Sequence, residues 1–203
     1  MFNMSDKKIN IALAGGQCTG KSVVAAALFA HLKMNGLDYD LIGEEKRKLN
    51  KEFGNYRSPF ERFYIWRQQE REELRSSAID GFITDSPLFH YYASAKMYSR
   101  EKRDVLAVRE LFRACTEIPN RYQLIVMAED PSELPYKKDS VRRSGREKAI
   151  EKHRIVRNIV EMFYPERLLL VKGYVDQRID AIEQRLKEMG KEFTPLPYPP
   201  KKG

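Results

Sequence analysis

Cysteine is nearly absent from this 203-residue chain: only Cys18 and Cys115 occur, and they share no metal-ligand spacing. A disulfide framework and a zinc site are both excluded as organising devices. No apolar run approaches the ~20 residues that a bilayer-spanning helix needs. The opening "MFNMSDKK" has no apolar signal core, so no membrane partner is expected and the chain is expected to stay in the cytoplasm. No internal repeat and no composition break marks a domain boundary. An N-K-x-D guanine-reading element is missing, which argues against a GTPase. A ring-forming ATPase calls for more length and for an apolar strand ending in paired carboxylates, whereas the third apolar run here ends in "ITDSP", with one.

Negative charge is in the minority. Lys and Arg number 37 against 29 Asp and Glu, a net +8, and such a surplus attracts polyanions. The surplus is uneven: Pro131 to Asn158 holds nine Lys or Arg and four Asp or Glu. That stretch reads either as a solvated helix face or as a phosphate-facing lid or nucleic-acid patch. DNA therefore stays open as a partner. Hydrophobic residues make up 42 %, enough for one domain with a sizeable core.

What is present alternates between short apolar runs and helical periods. "KINIALAGG", "YDLIGE", "GFITDS", "YQLIVMAED" and "RLLLVKG" read as five strands, short and apolar enough to be buried in a parallel sheet. Between them lie helical patterns. The first runs from about Lys21 to Met34 and stops near Gly36. Another opens at "SPFE", where Ser58 caps, Pro59 takes the first helical position and Glu61 completes a capping box. "PLFHYYASAKMY", "DVLAVRELFRACTE", "GREKAIEKHRIVRNIVEMF" and the closing "YVDQRIDAIEQRLKEMGK" follow. Five strands separated by helices predict a three-layer α/β fold with a mainly parallel sheet. Residues 1–190 are expected to form the domain, with a lid over about 131–150, and the Pro-rich 191–203 an extended tail.

Residues 15 to 22 read "GGQCTGKS", directly after the first strand. This is the phosphate-binding G-x-x-x-x-G-K-[ST] spacing, in the strand-before, helix-after setting it requires. Its glycines let the chain wrap an anion without Cβ clashes. Gly15, Gly16, Gln17, Cys18, Thr19 and Gly20 form the cradle, and the backbone N–H groups of roughly Gly16 to Ser22 would point inward, at the positive end of the next helix. Lys21 would reach the β- and γ-phosphates of ATP, and the Ser22 hydroxyl would bind Mg²⁺. The Cys18 thiol has no dyad partner nearby and reads as incidental.

Asp85 ends the third strand, the rim where α/β sheets bind ligands. There it would hold Mg²⁺ or take a proton from an attacking hydroxyl; an N-cap role for the following helix is the other reading. Glu44 ends the second strand at the same rim, with Arg47 one turn on. They serve an acceptor or form part of a solvated "EEKRK" run. Arg142, Arg143 and Arg146 crowd the lid segment, where forked guanidinium groups would neutralise charge on a transferring phosphoryl group.

Taken in order, "GGQCTGKS", "GEEKR", "ITDSP" and "KDSVRRSGR" resemble the P-loop nucleoside and nucleotide kinases, in particular the compact ribosylnicotinamide-kinase-like and thymidylate-kinase-like type. The resemblance covers the chain to about Arg178. It implies a P-loop NTPase fold with an Arg-rich lid, ATP and Mg²⁺ as cofactors, and a nucleoside-like acceptor. It pairs Glu44 with Arg47 after strand two, makes Asp85 the strand-end acid, and makes Asp139 and Arg142 the lid pair, with Arg146 beside them. It also implies that the aromatic-rich helix offers Trp66, Gln68 and Gln69 for stacking on and reading a base; Phe63 and Tyr64 read as core or as further stacking groups. A phage branch of this group phosphorylates 5-hydroxymethyluracil within DNA, which the basic charge would suit, so the resemblance makes the hydroxymethyl group of that base in DNA the favoured acceptor. The strand-three "DSP" departs from the "DRS" of many deoxynucleoside kinases. A free nucleoside or nucleotide remains as acceptor, and a non-kinase ATP-binding regulator with a basic nucleic-acid surface remains as a different class.

Overall fold

The computed structural model describes residues 8–54, 58–116, 121–134 and 145–196, without the side chains of residues 47, 50, 51 and 53. Five strands form one sheet: β1 (Ile11–Ala14), β2 (Tyr39–Ile42), β3 (Gly81–Thr84), β4 (Leu124–Met127) and β5 (Leu168–Leu170). Their order is β2-β3-β1-β4-β5, and every neighbouring pair is parallel. Parallel strands need crossovers. These are α1 (Lys21–Met34), α2 (Glu45–Phe53) with α3 (Pro59–Arg75), α4 (Phe89–Tyr98) with α5 (Asp104–Thr116), and α6 (Arg146–Phe163). Helix α7 (Val175–Glu188) is the last element among the described residues.

The alternation along each strand divides the core. Ile11 and Leu13 of β1 pack with Leu124 and Val126 of β4 against Val24, Leu28 and Leu32 of α1 and Ile182 and Leu186 of α7. Ala12 and Ala14 face the other way with Ile125 and Met127, against Ile65 and Trp66 of α3, Leu111 of α5, and Val156 and Val160 of α6. Each fully buried aliphatic side chain contributes about 1.5–3 kcal/mol, so both layers are strongly anchored. The three-layer reading therefore stands, and the five expected strands are the five observed.

Local signals act as expected at several ends. The Ser58 hydroxyl accepts from the Glu61 N–H at 3.2 Å, and the Glu61 carboxylate accepts from the Ser58 N–H at 2.6 Å. Gly36 takes φ 77° just past α1. Two stretches carry structure that the sequence pattern does not announce. The charged run after β2 is the helix α2, seated on α3. Residues 191–196 lie along the end of α1, with the N–H groups of Thr194 and Leu196 donating to the carbonyls of Asn35 and Met34. Lys191, almost wholly buried, pairs with Asp80 at 2.5 Å; residues 197–203 are outside the described residues. Among the described residues no helix is long and apolar enough to cross a membrane.

Candidate active site

Strand β1 stands between β3 and β4 and delivers the loop 15–20 to the carboxyl-end rim of the sheet. The loop turns through left-handed backbone at Gly15 (φ 121°), Cys18 (φ 61°) and Gly20 (φ 79°), and Gly20 is the N-cap of α1. The Lys21 ammonium folds over the loop and donates to the Gly16 carbonyl, with the Thr19 hydroxyl 3.3 Å away. The Thr19 hydroxyl itself donates to the Gly16 carbonyl at 3.1 Å.

Three side chains from distant elements hold this loop. His90 of α4 accepts from the Gly15 N–H through Nε2, and His153 of α6 accepts from the Gly16 N–H through Nδ1, both at 3.2 Å. An accepting ring nitrogen carries no proton, so both rings hold the loop in their neutral form. Burial pushes both pKa values down, His90 well below the ordinary 6.5, and the neighbouring cations Lys152, Lys21 and Lys46 push His90 further. Arg178 of α7 is the third: it donates to the Thr19 carbonyl at 2.7 Å and the Gly173 carbonyl at 2.8 Å, and pairs with Glu129 beyond β4 at 2.7 Å. Gly16 lies hard against α6. A Cβ there would come within 2.5 Å of the Ala149 carbonyl oxygen and 2.6 Å of Pro131 Cγ.

Asp85 follows β3 immediately, and the pairing of β3 with β1 carries it to the loop. Its Oδ2 accepts from the Ser22 hydroxyl at 2.5 Å. Its Oδ1 is buried with no hydrogen-bond partner. The N-cap reading is not realised: Leu88 caps α4 and makes no side-chain cap bond. A hydroxyl beside a carboxylate with a spare buried oxygen suits a hard divalent cation that takes its remaining oxygens from phosphates and water. Ser22 and Asp85 are therefore the residues that would hold Mg²⁺.

The acceptor-side residues are placed less uniformly. Glu44 caps the start of α2 and acts electrostatically on Arg62, Tyr91 and Lys152, which sets it facing the interior of the rim. Arg47 lies in α2, its side chain outside the described residues, as are Asp139, Arg142 and Arg143 of the lid segment. Arg146 opens α6, exposed, and donates to the Ser132 carbonyl at 2.6 Å. On α3, Trp66 is buried in the core and stacked on Phe63, with ring centroids 5.4 Å apart. Phe63 and Tyr64 are exposed, and Gln68 is half-buried. Gln69 is fully enclosed. Its Oε1 accepts from the Glu45 N–H at 3.1 Å and the Tyr91 hydroxyl at 3.0 Å, while its Nε2 donates to Thr84 at 3.3 Å. The amide expected to read a base edge ties α2, α3, α4 and β3 together.

His90, His153, Arg178 and Lys152 are absent from the sequence expectations. One signal was available in α6. Ala149, His153, Val156 and Val160 follow a buried helical stripe, so a histidine interrupts the apolar phase, with Lys152 buried beside it.

A family model described as an AAA domain matches residues 10–178. No curated protein matches the sequence. Among solved structures the chain is similar to NadR protein in complex with NR, at 18 % identity and TM-score 0.66, over 97 % of this chain and 54 % of that one. It is similar to NadR protein with NAD and AMP-PNP, at 20 % identity and TM-score 0.67, over 97 % and 53 %. A third is deoxyadenosine kinase from M. mycoides with its product dCMP and a flexible dCDP bound, at 13 % identity and TM-score 0.65, over 89 % of this chain and all of that one. The chain thus spans about half the length of the NadR chains. These likenesses concern the fold alone, a parallel five-stranded α/β fold of the P-loop NTPase type. The family match runs from the residue before β1 into the first turn of α7, and the chain belongs to the AAA domain family.

Proposed function

We propose that the protein is an ATP-dependent phosphotransferase that moves the γ-phosphoryl group of ATP onto a nucleoside-like acceptor. The observation that carries this reading is the 2.5 Å bond between Ser22 at the start of α1 and Asp85 at the end of β3. It joins the phosphate loop to a carboxylate with a spare buried oxygen, in a fold shared with kinase structures. Lys21 and the loop N–H groups beyond Gly15 and Gly16, whose own N–H groups the two histidines engage, hold the triphosphate. Ser22 and Asp85 would hold Mg²⁺, which when bound would neutralise phosphate charge. Asp85 orients the acceptor or takes its hydroxyl proton. Arg146 and the lid arginine Arg142 serve the transferring group. Glu44, with Arg47, Trp66 and Gln68, serves the acceptor, while Gln69 holds the start of α2 through the Glu45 N–H. The single carboxylate after β3 favours this chemistry over a ring-forming ATPase.

Two acceptors follow from different observations. The half-buried Glu44, acting as a charge on the buried Arg62 and Lys152, favours a compact acceptor, a free nucleoside or nucleotide. The net charge of +8 favours the hydroxymethyl group of 5-hydroxymethyluracil in DNA. Transfer of label from [γ-³²P]ATP to free nucleosides, nucleoside monophosphates and a hydroxymethyluracil-bearing duplex separates them. Labelling of a free acceptor is the expected result. Labelling of the duplex alone would replace that acceptor. ATP binding with no labelled acceptor would favour a regulator that binds ATP without transferring it.

A further inference from the structure

Lys152 is enclosed, 8 % exposed, in the face of α6 that meets the site. It makes no hydrogen bond or ion pair among the described residues. The charged groups that act on it are Lys46 of α2, Glu44 at the α2 cap, Lys21 of the phosphate loop and Arg62 of α3. All four act on Lys152 as charges, and Glu44 is the one carboxylate among these strongest contributors. Burial first, then Lys46, drives the Lys152 pKa well down. A buried ammonium beside other cations costs stability unless an anion joins it. ATP bound by the loop is served by Lys21. Lys152 itself still meets no carboxylate in an ion pair among the described residues.

We propose that Lys152, with Lys46, binds a phosphate group carried by the acceptor, so that the substrate is a nucleoside monophosphate rather than a neutral nucleoside. The inference rests on the kinase reading and narrows its substrate class. An enclosed ammonium fits a compact phosphomonoester that enters the site, whereas the phosphates of a duplex would meet surface lysines. In the step this implies, a non-bridging oxygen of the monophosphate dianion attacks the γ-phosphorus. The bond from that phosphorus to the β–γ bridging oxygen breaks, and ADP leaves with the electron pair. The products are ADP and a nucleoside diphosphate, with no proton to remove from the attacking oxygen. Asp85 then acts by holding Ser22 and the cation.

The test is calorimetric binding and steady-state transfer with a panel of ribo- and deoxyribonucleoside monophosphates and their parent nucleosides, binding being measured with AMP-PNP present. The wild-type chain is expected to bind at least one monophosphate more tightly than its nucleoside. Lys152→Met is expected to weaken that monophosphate by about 10- to 100-fold, the usual scale for one charge-assisted contact. The KM for ATP should stay unchanged and the melting temperature equal or higher. If Lys152→Met does not fold, Lys46→Ala gives the same readout from the half-buried side of the site. Preference for neutral nucleosides, or monophosphate binding indifferent to both substitutions, overturns the inference and leaves the kinase reading standing. Labelling of duplex DNA alone also overturns it. Monophosphate binding that depends on Lys152 without any transfer keeps the phosphate site and removes the kinase reading instead.

Discussion

Around β1 the rim of the sheet offers backbone, and around β2 and α6 it offers side chains. The loop 15–20 is shaped by left-handed turns at Gly15, Cys18 and Gly20, and its Gly15 and Gly16 N–H groups are engaged by histidines. Its supports, His90, His153 and Arg178, all bind main-chain atoms. The acceptor side is the reverse: Glu44 and Lys46 at the start of α2, Arg62 of α3 and Lys152 of α6 come from three different stretches and act on one another as charges. A backbone-built site tolerates few shapes but depends on few side chains. A charge-built site depends on each group and on the helices that carry them. Gly16 links the two, because α6 rests on it and brings both His153 and Lys152.

The largest effects should come from the donor side. Lys21→Ala should lower transfer by roughly a thousandfold, the scale of removing a principal charge-stabilising contact. Asp85→Asn should lower it by about a hundredfold or more, while ATP-analogue binding changes far less. Label transfer and equilibrium binding measured on both variants check this. Equal loss of binding in the two would mean that Asp85 belongs to the loop's structure, and the contrast between the two sides would lose its main member.

A smaller effect is expected where the two sides touch. Gly16→Ala places a methyl group 2.5 Å from the Ala149 carbonyl oxygen and 2.6 Å from Pro131 Cγ, neither of them a flexible chain end. Helix α6 must move away. The expected cost is about 1–3 kcal/mol of stability, read as a melting temperature several degrees lower. Both ATP binding and acceptor binding should weaken, since α6 carries a support for one and a ligand for the other. A variant that weakens ATP binding alone would show that the acceptor side does not depend on the docking of α6.

The contrast also explains what could be read before the structure. The loop was legible because its chemistry lies in consecutive residues: glycines for the turn, then lysine and serine at fixed offsets, between a strand and a helix. The strands were legible from apolar runs, and α3 from its capping box. Asp85 was found by its place at a strand end. The acceptor side was not legible in the same way. Gln69 sits among residues with exposed aromatics and seemed free to meet a base, yet its helical phase points inward, where three hydrogen-bonding groups engage it. Lys152 looked like one more cation in a basic stretch. Its burial follows from how α6 crosses the loop, a tertiary fact that local spacing does not encode. The same holds for the docking of residues 191–196 on α1.

The smallest expected effect concerns pH and the two histidines. Both accept a loop N–H, and both are held below their ordinary value of 6.5 in the fold. The unfolded chain therefore takes up protons near pH 6.5 that the folded chain refuses. Stability is fully present above that pH and is lost as pH falls from about 6.5 toward the depressed folded values. His90 faces Lys152 and His153 of α6, Lys21 of α1 and Lys46 of α2; His153 faces Asp130, Lys21, Arg157 and Glu133. His90, the more deeply enclosed, should carry the larger share, at most about 1.4 kcal/mol per pH unit. Glu73 works in the opposite sense. Burial raises it to about 8, so its contribution declines as pH rises from about 4.5 through that value. A total stability curve mixes the two, and variants separate them. His90→Gln and His153→Asn each keep an acceptor atom near the ring nitrogen they replace, without a proton to gain. Melting temperatures from pH 5 to 7.5 should fall with acid in the wild type and fall less steeply in each variant, with His90→Gln the flatter. Parallel curves for all three would mean that the histidines do not hold the loop as neutral acceptors, and the donor side would then owe its shape to the glycines and Arg178 alone.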